Sequence, residues 1–318
     1  MHELDRDAAE LIEQARAEAR DAVRAKLRAE YEQALLERAH ELLAPAPPPP
    51  GEAGEAWWVY CVVRAGRPLP DGLTGVDPDA PAPALVAAGD LAAVASRVPL
   101  AEFGEAPLRE NLNDLGWLER VARAHDAVLS RLLGDGALVP LRVCTIYRDE
   151  GQVEAMLAER SAELDAALAR LDGKAEWGVK AVADRQVLEE AARDQSVDAR
   201  ALASEIDTGP EGGAYLARKK LAALVRDEAD RLVADALREA HARLGEWADA
   251  SVVLPAQNRE LSGHRGEMVL NAAYLVDERR TDSFGAALGA IDLPGLAFEL
   301  TGPWPAYNFV DAPAEALR

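Results

Sequence analysis

Read for the spacing of apolar and polar positions, the chain divides into three stretches of different character. From residue 5 to residue 43 it is crowded with Ala, Glu, Arg and Leu and contains no Gly or Pro, which predicts helix. The larger apolar residues there, Leu4, Ile12, Val23, Leu27, Tyr31 and Leu35, drift round the cylinder instead of holding one face. That pattern suits a long lone helix, which could wrap a partner, form a loose coiled coil or project as a charged arm. Residues 44–50 then read Ala-Pro-Ala-Pro-Pro-Pro-Pro, a polyproline II spacer, and Gly51 with Gly54 adds a joint. Residues 1–50 are thus expected to form a helical extension with a proline-rich linker.

Residues 56–173 predict an N-terminal α+β domain. A strand at 57–63 precedes a Pro/Gly-rich loop at 66–83, and two short apolar runs, 85–88 and 91–95, flank Gly89-Asp90 as a hairpin. A helix at 108–133 ends at Gly134-Asp135-Gly136; a strand at 137–147 follows, then a helix at 149–171 with Asp149 as its cap. The expected arrangement places helices on one face of a mainly antiparallel sheet.

Residues 174–318 predict a second α+β domain of βααββαβ type, ferredoxin-like with an enlarged helical crossover. Its strands fall at 177–182, 250–254 and 268–276, its long helices at 186–205 and 214–247, and a short helix at 283–291 capped by Thr281 or Asp282. The last strand is expected in two pieces, 296–300 and 307–310, because Pro303 and Pro305 lock φ and remove two N–H donors between them. The fold class expected is α+β, two α/β-sandwich domains behind an N-terminal helical arm.

Composition narrows the function. A length of 318 residues with 49% hydrophobic content suffices for two cores, and a formal net charge of −21 opposes binding to nucleic acid or anionic membranes. The charge also favours solubility, as suits a protein that handles a very apolar partner. No apolar run approaches the roughly 20 residues of a membrane span, and the opening residues lack a signal-like apolar core, so a cytoplasmic location is expected.

The search for reactive chemistry is largely negative. His2, His40, His125, His241 and His264 show no metal-ligand spacing, and the glycines at 209–213 lack the Lys-Ser/Thr of a phosphate loop. No cofactor, metal or catalytic residue is expected. His125 reads as a surface or half-buried histidine, Cys61 and Cys144 as buried thiols inside strand-like runs, and Asn271 as a structural amide that pins a loop. His264, in a polar loop, stays open as a ligand.

The most specific sequence feature is the string Glu299-Leu300-Thr301-Gly302-Pro303-Trp304-Pro305-Ala306-Tyr307-Asn308-Phe309-Val310-Asp311. Four other segments accompany it: Val139-Pro140-Leu141-Arg142 leading into Thr145-Ile146-Tyr147, Glu176-Trp177-Gly178-Val179-Lys180, Gly212-Gly213-Ala214-Tyr215-Leu216 with Lys219-Lys220, and Met268-Val269-Leu270-Asn271-Ala272-Ala273-Tyr274-Leu275-Val276. In this order they resemble the GvpL/GvpF family of gas vesicle proteins, from about residue 57 to residue 310. Residues 1–50 look like an extension outside the family core, and Val143-Cys144 stands where a more aromatic pair is expected.

The resemblance implies a non-enzymatic accessory or minor structural protein. It would bind the small hydrophobic shell protein of the vesicle, GvpA, and support its nucleation and assembly. Trp304, Tyr307 and Phe309 are the candidate anchors. Tyr215 lies one helical turn from Lys219 and Lys220, which joins an aromatic to two steering charges. Two other readings stay open at this point: a small-molecule enzyme with a site between the two domains, and a scaffold that self-associates through the N-terminal helix.

Overall fold

The computed structural model describes residues 54–208, 211–255 and 266–310, the side chains of 207, 208 and 211–214 excepted. The expected arm and linker at 1–50, and the loop carrying Ser262 and His264, lie outside the described residues. The architecture is α+β with two antiparallel sheets, as the apolar patterning predicts. The chain divides into two compact units, the first running to Glu176 and resuming at Pro303, the second Trp177–Gly302. A division in sequence order does not foresee that return.

In the first unit the sheet order is β2-β3-β1-β4. Its strands are β1 (Glu55–Arg64), β2 (Ala84–Ala88), β3 (Leu91–Pro99) and the two-residue β4 (Val139–Pro140); β5 (Ile146–Tyr147) also pairs with β1. The β2–β3 hairpin turns through Gly89 at φ 63, in the left-handed region that glycine enters without a Cβ penalty. Residues 58–63 of the central strand are fully buried.

A bulge between Val59 and Cys61 flips the alternation. One core therefore collects Ala56, Trp58 and Tyr60 before the bulge and Cys61 and Val63 after it. The expected strand at 137–147 is not continuous. Leu141 N donates to Tyr60 O and Val59 N donates to Thr145 O, so the chain leaves β1 opposite the bulge and rejoins it at β5.

A short α1 (Leu100–Phe103) precedes the helix expected at 108–133, which is itself divided between α2 (Glu105–Asn111) and α3 (Leu115–Leu132). Asp114 ends the first run and caps α3, its carboxylate accepting from Gly116 N at 2.8 Å and Trp117 N at 3.3 Å. Trp117, Val121, Val128, Leu129 and Leu132 of α3 pack against Trp58 and Tyr60. The 149–171 helix bends at Arg160 (φ −100, ψ 14) into α4 (Glu150–Glu159) and α5 (Ser161–Leu171), with Asp149 capping α4 as expected. These two helices touch β1, β2 and β3 yet contribute nothing to the α3 core, so they cover the opposite face. Helices on both faces, not one, account for the complete burial of β1.

The second unit runs β6 (Lys174–Ala183), α6 (Arg185–Gln195), α7 (Val197–Thr208), α8 (Glu211–Gly245), β7 (Ala248–Val253), β8 (Glu267–Asp277), α9 (Thr281–Gly289) and β9 (Leu296–Trp304). Its sheet order, β7-β8-β6-β9, is that of the ferredoxin-like fold with three helices in place of one crossover helix. The first expected long helix breaks at Ser196 into α6 and α7. Both pack on α8 through Leu188, Ala192 and Ala199 against Val225, Ala229 and Val233. At 35 residues α8 is about 52 Å long.

Strand β9 does not break where two prolines predict it should. It is an edge strand, so the N–H missing at Pro303 costs no ladder bond, and Gly302 takes φ 129 without strain. The expected strand at 307–310 is instead a 3-10 turn, Tyr307–Phe309.

Candidate partner-binding surfaces

The conspicuous terminal string is held in the first unit by two side chains far away in sequence. The Arg170 guanidinium donates to Phe309 O at 3.3 and 3.2 Å and to Val310 O at 2.6 Å. The buried Glu176 carboxylate accepts from Asn308 N at 3.0 Å and Asn308 Nδ2 at 2.6 Å. Ionised partners make such bonds roughly twice as strong as neutral ones. Sequence reasoning missed both residues, since a separation of 132 or 139 positions leaves no local signal.

This clasp sorts the three aromatic candidates. Phe309 is 0% exposed and fills the first unit, which corrects its expected role as an interface anchor: the 3-10 turn points it inward. Tyr307 is half-buried against the same core. Trp304 is half-buried beside the buried Pro305 and Ala306.

The other candidates sit at the start of α8 in the second unit. Tyr215 is 75% exposed and its neighbour Leu216 is 71% exposed, with Lys219 and Lys220 open to solvent on the next turn. The structure therefore brings Tyr215, Lys219 and Lys220 together on one helix but leaves them in a different unit from Trp304, Tyr307 and Phe309.

The ionisable groups inside the units serve packing. His125, expected at the surface or half-buried, is fully buried. Trp58 Nε1 donates to its Nδ1 at 3.0 Å, which places the ring proton on Nε2, 3.1 Å from the Leu141 carbonyl it donates to. Burial lowers the His125 pKa to about 4, against a smaller opposing effect of the Leu141 carbonyl. Tyr60 shares a 2.7 Å hydrogen bond with Ser96 and accepts from Val76 N at 2.9 Å, and burial raises its pKa.

Burial pushes the Cys61 thiol up to about 12, while Cys144 is half-buried at φ 68 instead of lying in a regular strand. Asn271 Nδ2 donates to Pro255 O at 2.9 Å, the loop-pinning role expected of it. A shallow cleft of about 530 Å³ is lined by Arg64, Arg67, Asp135, Asp172 and Leu168. Its cations are committed, Arg67 to the carbonyls of Leu132, Gly136 and Ala137 and Arg64 to Asp165. Among the described residues no cluster of His, Cys, Asp or Glu is placed to hold a metal, and no helix is long and apolar enough to cross a membrane.

Fold and topology define a two-sheet α+β protein. The family model for gas vesicle synthesis protein GvpL/GvpF matches residues 56–311, and the chain belongs to that family. Gas vesicle protein L of Streptomyces sp. (strain CB03234) is 42% identical over 263 residues, covering 82% of this chain and 95% of that protein. Gas vesicle protein F of the same strain is 31% identical over 263 residues, covering 80% and 99%. The crystal structure of GvpF from Anabaena sp. PCC7120 shares the fold, with a TM-score of 0.58 at 16% identity over 82% of this chain and 98% of that one. Each of these relatives is named as a gas vesicle protein, and none of the three as an enzyme.

Proposed function

We propose that this chain is a non-enzymatic accessory protein of the gas vesicle that works in the cytoplasm. It binds the small hydrophobic shell protein GvpA and supports nucleation and assembly of the shell. The observation that carries this reading is the family match, which extends through both folded units. Physical chemistry supports it: a chain of net charge −21 stays soluble beside a very apolar partner. Trp304, stiffened by Pro303 and Pro305, is the aromatic we assign as an anchor, since it loses little conformational entropy on binding.

Co-expression tests the proposal. Tagged full-length chain should retain GvpA through a wash, and cells lacking the chain should accumulate less assembled shell. Failure to retain GvpA, with vesicle yield unchanged in the deletion, overturns the reading.

A further inference from the structure

The cations of α8 fall into two groups. Toward its C-terminal end each exposed arginine is neutralised within the helix: Arg231 by Glu228, Arg238 by Asp235 and Arg243 by Glu239. Over the first four turns the pattern is different. Arg218, Lys219, Lys220 and Arg226 are all exposed, and among the described residues none is ion-paired. Four exposed cations in about nine positions, with no ion pair among the described residues, stand out on a chain of net charge −21.

The same face carries apolar surface. At 100° per residue, Tyr215, Lys219, Ala222, Ala223 and Arg226 share one side of the helix, with Leu216 and Lys220 bordering it. Tyr215 and Leu216 are two of the six large hydrophobic side chains left exposed among the described residues. The exposed Ala222 and Ala223 leave room for a second backbone to approach between the aromatic end and Arg226.

We propose that this face of α8 is a docking site for an acidic amphipathic helix of a protein partner, its apolar stripe against Tyr215, Leu216 and the two alanines and its carboxylates against Lys219, Lys220 and Arg226. Charge complementarity selects this occupant. A bilayer or a nucleic acid would meet the long-range repulsion of the whole chain, whereas a single helix meets only the local basic field. Among the described residues an intrahelical carboxylate partner is what the downstream arginines have and Lys219, Lys220 and Arg226 lack, so a partner's carboxylates complete the pattern. The inference rests on the gas vesicle reading only for who supplies the helix.

The test uses the full-length chain and a labelled synthetic peptide about five turns long, with leucines along one face and glutamates flanking them. Fluorescence anisotropy should show saturable binding that weakens with salt. Lys219→Glu with Lys220→Glu should weaken it about tenfold or more, and Leu216→Ser by about fivefold. Arg238→Glu, which alters a cation already neutralised, should leave it within about twofold.

A scrambled peptide of the same composition should bind at least about tenfold more weakly. Equal binding of the scrambled peptide, equal loss with Arg238→Glu, or stronger attachment to phosphatidylserine vesicles than to the peptide each overturns the proposal. Circular dichroism of the variants keeps the test valid, since all substituted positions are exposed. GvpA capture is measured in parallel. Peptide binding without GvpA capture retires the shell-protein reading alone, and GvpA capture without peptide binding retires this site alone.

Discussion

His125 offers a quantitative test of the first unit's packing, because its ring is buried and both nitrogens are engaged. With a pKa near 4 in the folded protein and 6.5 when free, the imidazole stays neutral in the native state where the unfolded chain already takes up a proton. The unfolded state therefore binds more protons between those two values. Stability contributed by the neutral ring is complete above pH 6.5, falls as pH is lowered, and is exhausted near pH 4. The slope is about 1.4 kcal/mol per pH unit, roughly 3 kcal/mol in all.

Carboxylates also titrate in this window, so the measurement is a difference. Urea unfolding followed by circular dichroism from pH 7 to pH 4 is run on the protein and on His125→Gln, whose amide keeps a donor and an acceptor but cannot titrate. The protein should lose about 3 kcal/mol more than the variant over the window. At pH 7 His125→Ala, which strands the Trp58 N–H and the Leu141 carbonyl and opens a cavity, should cost roughly 4 kcal/mol. Parallel pH curves for protein and Gln variant, or an imidazole that titrates between pH 6 and 7 by NMR, would refute the burial argument.

Phe309→Ala should destabilise the protein by about 3–5 kcal/mol, read as a lower melting midpoint, because its side chain is wholly buried. Glu176→Ala removes the acceptor of two bonds from Asn308 and should cost about 3 kcal/mol by urea unfolding, while an unchanged urea midpoint would show the clasp to be ornamental. Trp304→Ala should weaken GvpA capture by about 2 kcal/mol, some thirtyfold, with little change in melting. A drop in midpoint comparable to that of Phe309→Ala retires Trp304 as a binding residue. Removing residues 1–50 should leave a soluble, cooperatively unfolding protein, as calorimetry will show; aggregation of the truncation counts against a separable extension.

Most strands were legible because burial on a sheet imposes alternation or continuous apolar runs, and β1, β2–β3, β7 and β8 appear where those runs lie. The misplacements share a cause: a local pattern cannot report a distant partner. Helical propensity runs through Asn113-Asp114, Arg160 and Ser196 with little interruption, yet the chain bends at each. The bulge at Tyr60 and the detour of residues 141–145 belong together, and neither segment alone predicts the other. The place of His125 in a helix suggests a surface or half-buried side chain, yet α3 turns that position onto Trp58 and Tyr60.

The candidate surfaces were legible unequally, for a reason that bears on reading other members of the family. The string from Gly302 to Phe309 is conspicuous because leaving an edge strand and closing a core need prolines, a positive-φ glycine and a buried aromatic at fixed places. Its distinctiveness thus reflects structural demand first, and of its aromatics Trp304 and Tyr307 are only half-buried whereas Phe309 is wholly buried. The face of α8 has the opposite history. Lys219-Lys220 beside Tyr215 reads in sequence as an ordinary solvated helix, and it becomes unusual only when exposure and ion pairing are known for the whole helix. Conspicuous residues mark where the fold is demanding; a surface for a partner is better sought where charges and apolar groups are left unsatisfied.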